Sequence, residues 1–166
     1  MAELATRERL QPSLLDRLTD DEPDVGVEAR ERRVMSLRTL RDSVLRDLGW
    51  LLNTTNLFST IDGGGLPYLS GCVVNYGMPD ISGITVAGLN LADMERGIRQ
   101  AIWDFEPRLI RPSVLVRAVS STASHNKILF EIEADMWAQP YPERLYLKTE
   151  LDVERGTVRL REGAGA

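Results

Sequence analysis

At 166 residues the chain supports one domain with a real core, in the range where folding hides about two-thirds of the extended chain's surface. Hydrophobic residues at 43% and charged residues at 27% sit near globular averages, which excludes a disordered or fibrous chain. Twenty basic against 25 acidic side chains give a net charge of -5, and no segment interleaves basic residues with aromatics, so a nucleic-acid partner is not expected.

The amino terminus carries charges where a signal peptide places an apolar run. No span approaches the ~20 apolar residues of a membrane helix, so the expected address is the cytoplasm. Leu10, Leu14, Leu15 and Leu18 fall at helical spacing on one stripe of a short amphipathic segment. Thr19 to Asp24 is acidic, contains Pro23 and lacks periodicity, which marks a linker. Residues 1–24 therefore read as an arm that either folds back on its own domain or lies on a partner, and 25–163 as the domain itself.

Ser36 opens the strongest predicted helix, with Leu37, Leu40, Val44, Leu48, Leu51 and Leu52 on one face and Asp42 and Arg46 as a surface pair four apart. Asn53 to Asn56 compete with helical backbone bonding and end it. A glycine-containing loop, Gly63 to Gly65 with Pro67, leads to a short apolar run at Cys72, Val73 and Val74. Gly77 and Pro79 then predict a rigid turn, since one permits positive φ and the other disfavours helix at Met78.

A second helix is predicted from an Asn90 cap, with Leu91, Met94, Ile98, Ala101, Ile102 and Phe105 as its stripe, and Pro107 must stop it at or before Glu106. After Pro112 the period becomes alternating. Strands are predicted around Val114 to Ala118, Ile128 to Ile132 and Leu145 to Leu151, with a short fourth at Val158 and Leu160 turned back through Glu154-Arg155-Gly156. Helices followed by a mostly antiparallel sheet make an α+β fold.

Few residues offer chemistry. The only histidine, His125, lies in a polar serine-rich loop, so a Ser-His-Asp arrangement lacks a positioned base. With one histidine and one cysteine, Cys72, the usual zinc sites are not expected, nor is an internal disulfide. Gly63 to Gly65 lacks the lysine and hydroxyl residue of a phosphate loop, and no cofactor site is visible. Glu106 is a candidate acid without an identified second carboxylate, and Arg108 beside it favours the ionised form, so acid catalysis is not expected. The same residues suit a structural role, because Pro107 fixes the exit from the helix while Glu106 and Arg108 pair with each other or with a partner's charge. Trp137 and Tyr141, set among Pro140 and Pro142, are either edge-of-core aromatics or interface anchors.

Five segments occur in order: Pro12 to Asp21, Ser36 to Thr54, Val74-Asn-Tyr-Gly-Met-Pro-Asp80, Phe105-Glu-Pro-Arg-Leu109 and Leu147-Lys-Thr-Glu-Leu-Asp152. Together they resemble the TssE family of type VI secretion baseplate subunits, which belongs with the lysozyme-like wedge proteins of contractile-phage baseplates. The resemblance implies a structural, non-enzymatic subunit joined to TssF and TssG, near TssK. It implies that Glu106, Pro107 and Arg108 contact the wedge's core bundle. It also implies sheet-edge contact with the sheath proteins TssB and TssC, for which the strands from Arg144 to Arg161 supply the candidate edge, with Val158 and Leu160 its test positions.

Overall fold

The computed structural model describes residues 13–19, 23–24, 36–80, 88, 90–119, 127–138 and 141–163. Leu10, His125 and residues 20–22 of the expected linker lie outside the described residues. Among the described residues three α-helices, α1 (Leu14–Leu18), α2 (Leu37–Leu52) and α3 (Leu91–Phe105), precede four strands, β1 (Leu115–Val119), β2 (Lys127–Met136), β3 (Glu143–Asp152) and β4 (Thr157–Glu162). The strands pair antiparallel in the order β1-β2-β3-β4, so the expected α+β class is the observed one.

α2 starts where Ser36 caps it, its side chain accepting from the Thr39 backbone N–H. From Leu40 onward the expected stripe is buried: Leu40, Val44, Leu48, Leu51 and Leu52 join the core, while Leu37, in the uncovered first turn, stays exposed. The Asn90 side chain caps α3 by accepting from Ala92 and Asp93, and the helix buries Ile98, Ala101 and Ile102 with Met94 and Phe105 half-buried. Leu91 at its first position is exposed.

Alternation in the strands sorts the sheet into two faces. Val116, Ile128, Phe130, Ile132, Ala134, Met136, Leu145, Leu147, Thr149 and Leu151 form the inner face of one core shared with both longer helices. Thr149 is tolerated there because its hydroxyl donates to the Phe130 carbonyl at 3.0 Å. α3 packs over the β1 side and α2 over the β4 side. The opposite face is a ladder of exposed cross-strand ion pairs, Lys127–Glu150, Lys148–Glu131 and Arg144 with Glu133 and Asp135. Such pairs contribute solubility and register more than stability.

The predicted turns hold. Gly77 sits at φ +122, and a Cβ there would lie 2.3 Å from the Thr54 carbonyl oxygen. That close approach lets Met78 bond to both sides of the α2 exit, donating to Thr54 and accepting from Asn56. Gly156 at φ +62 closes the β3–β4 hairpin. The apolar run at Val73 and Val74 is no strand: it forms a 3₁₀ turn, Val73–Asn75, and both valines are exposed. Asn75 is the buried residue there, accepting from the Phe58 N–H and donating to the Ser70 carbonyl.

Candidate functional site

Pro107 ends α3 as expected. Its ring forbids continued helix at the preceding residue, and Glu106 takes non-helical angles while its N–H still donates to Ile102 at 2.9 Å. The chain then turns sharply, with the Leu109 N–H bonding to the Glu106 carbonyl. Two bonds pin this turn to the end of β2: Trp137 N–H donates to the Arg108 carbonyl and Ile110 N–H to the Asp135 carbonyl, each at 2.8 Å. Leu109 anchors it in the core.

The side chains close a charge network over this frame. Glu106 is 4% exposed, and Arg108 answers it with a fork: Nε donates to Oε1 at 2.7 Å and Nη2 to Oε2 at 2.5 Å. Beyond that pair Arg108 reaches α2, where Nη2 meets Asp47 at 2.5 Å and Nη1 donates to the Ser43 hydroxyl at 3.1 Å. Burial pulls the Arg108 guanidinium down, but Glu106 and Asp47 outweigh it and hold the group protonated well beyond its ordinary range. The two charges of the turn therefore face each other, and a carboxylate from another helix completes the cage.

The network continues outward. Asp47 also binds Arg46, whose Nη1 donates to Asp16 of α1 at 2.7 Å and whose guanidinium lies 5.1 Å over the Trp50 ring. Asp16 meanwhile completes a capping box with Ser13. Burial would raise the Asp16 carboxyl, yet the bonds from Ser13 and Arg46 hold it below its usual value. Arg46 thus turns to Asp16 and Asp47 rather than to Asp42, the partner its helical spacing predicts. Tyr76 packs edge-on against Phe105, and burial, with Asp47 and Glu106 nearby, pushes its phenol up.

α1 is held by this polar contact, while Leu14, Leu15 and Leu18 are all exposed. Trp137, tied by its backbone to Arg108, leaves its indole half in solvent beside the turn, and Tyr141 is exposed as well. Sequence reasoning singled out Glu106, Pro107 and Arg108 but missed Ser43 and Asp47. The available signal was their spacing, four apart on α2 and flanking the apolar stripe at Val44 and Leu48, where polar side chains must find partners.

Val158 and Leu160 lie on the outer strand β4, their side chains half-buried against the core. Gly163 N–H donates inward to the Tyr146 carbonyl. Antiparallel pairing alternates, so Thr157, Arg159 and Arg161 share that inward bonding while the backbone groups of Val158, Leu160 and Glu162 point out from the sheet. Those of Val158 are already engaged: its N–H donates to Asn53 Oδ1 and its carbonyl accepts from Asn53 Nδ2, both at 2.9 Å.

Among the described residues no helix is long and apolar enough to cross a membrane, and no group of three or more His, Cys, Asp or Glu side chains is placed to hold a metal ion. A family model described as baseplate wedge protein gp25 matches residues 38–141, more than half of the chain. That span carries most of α2, all of α3, the Glu106–Arg108 turn, β1 and β2, while β3 and β4 follow it. Comparison with curated proteins and with solved structures gives no match.

Proposed function

The chain belongs to the baseplate wedge gp25 family, and from that premise we propose that it is a TssE-type structural subunit of a type VI secretion baseplate. In this reading it assembles at the cytoplasmic side of the inner membrane, docks on the TssF–TssG core bundle near TssK, and helps to start the TssB–TssC sheath. Docking uses the Glu106-Pro107-Arg108 turn. The observation that carries the reading is the closed network of that turn: both Glu106 oxygens are bonded to Arg108, which Asp47 holds from the other side.

A turn fixed by two helices and a strand presents Pro107, the outer part of Arg108 and the neighbouring Trp137 without further ordering on binding, which favours affinity. Interfaces concentrate binding in such tryptophan and arginine anchors. The same geometry argues against a peptidoglycan hydrolase, because Glu106 is buried and ion-paired instead of facing a second carboxylate across a cleft. An adaptor acting through the arm alone is the other alternative, supported by the exposed leucines of α1.

Co-expression with TssF and TssG separates these readings. The full chain is expected to co-purify with both, deletion of residues 1–24 to leave the complex intact, and Arg108→Ala to abolish it. Retention by the Arg108 variant, or loss on removing the arm, would transfer the function elsewhere; clearing of cell-wall substrate dependent on Glu106 would make the protein an enzyme.

A further inference from the structure

The outer edge of β4 offers fewer free groups than its length suggests. Asn53, the residue that ends α2, places both halves of its carboxamide against Val158, one donating and one accepting. A carboxamide carries the same donor and acceptor as a peptide unit, so this side chain takes the position of a residue on an adjoining strand. Its Nδ2 also donates to the Gly49 carbonyl at 2.7 Å, which holds the amide in place from the helix. At the other end of β4, Arg41 of α2 binds the Glu162 carboxylate at 3.1 Å, a contact made through the side chain and not through the backbone.

We propose that Asn53 is a reversible plug on the β4 edge: an incoming strand first pairs with the outward groups of Leu160 and Glu162, and pairing is completed only when Asn53 releases Val158. This rests on the sheath-contacting reading above. Unprotected edges invite indiscriminate strand addition, and an edge closed at one end by its own chain limits it before the proper partner arrives. The partner it fits is an extended strand with acidic side chains on the face it shares with Arg159 and Arg161. Both arginines are exposed, and Glu150, the carboxylate they influence, is already paired with Lys127.

The test uses the full chain as wild type, Asn53→Ala, Asn53→Gly and Leu160→Pro, with the purified TssB–TssC pair as probe. Glycine is included because it keeps a favourable helix end while deleting the amide. In both Asn53 variants the Val158 amide is expected to exchange roughly tenfold faster in the isolated protein, and capture of TssB–TssC to tighten by a similar factor. Unchanged exchange at Val158 overturns the plug. So does faster exchange with unchanged or weaker capture, provided Leu160→Pro abolishes capture, since the edge reading then stands alone. If Leu160→Pro captures normally, the edge reading falls and the plug with it.

Discussion

A carboxylate as buried as Glu106 persists in a folded protein only because its charge is answered at both oxygens. Removing the answer is worse than removing the question. Arg108→Ala strands Glu106 without its cation and is expected to cost about 3–5 kcal/mol in a denaturant titration. Glu106→Gln keeps the shape and leaves Arg108 with Asp47, so its cost should be nearer 1–2 kcal/mol. Equal losses in the two variants would mean that the ion pair does not organise the turn. Pro107 and its flanking charges were legible because proline chemistry is local. Asp47 was not, because its partner lies 61 residues away in sequence and helical periodicity places only nearest neighbours. Asn53 was read as a helix stop, which it is; its grip on Val158 depends on packing that no local pattern encodes.

At the scale of elements, α1 is the weakest attachment. Five residues cannot sustain a helix alone, and the described contact with the body is the Asp16–Arg46 ion pair. The bonds from Ser13 and Arg46 hold the Asp16 carboxyl below its ordinary value of 3.8, so the stabilisation it contributes is fully present above that value and is lost as pH falls through the lower, folded one. Amide shifts of Asp16 and Arg17 should therefore move toward coil positions below about pH 4 while those of α2 stay fixed. A titration in which both helices move together would mean that α1 is docked by other contacts. The two longer helices and the strands were readable from their periods because each has one face in a common core. Val73 and Val74 gave no element for the complementary reason: an apolar pair without alternation carries no face, and here it lies in an exposed 3₁₀ turn.

For the whole molecule, the sheet is a simple meander, yet strand order could not be read from hydrophobic pattern, since any antiparallel order buries the same inner residues. Order matters for function because it decides that β4 is outermost and that α2 lies along its side. The molecule then has two surfaces of different character. One is a closed charge cage whose outer surface is Pro107, part of Arg108 and Trp137; the other is a partly guarded strand edge at Leu160 and Glu162. In the proposed function the first of these would meet the bundle and the second the sheath. The most direct test leaves the cage and its proline turn intact and alters only the exposed surface beside them: binding of Trp137→Ala, which keeps its backbone bond to Arg108, to the purified TssF–TssG complex, with the melting temperature measured in parallel. The docking role of this surface requires at least a tenfold loss of affinity at a nearly unchanged melting temperature. Wild-type affinity in that variant would contradict it.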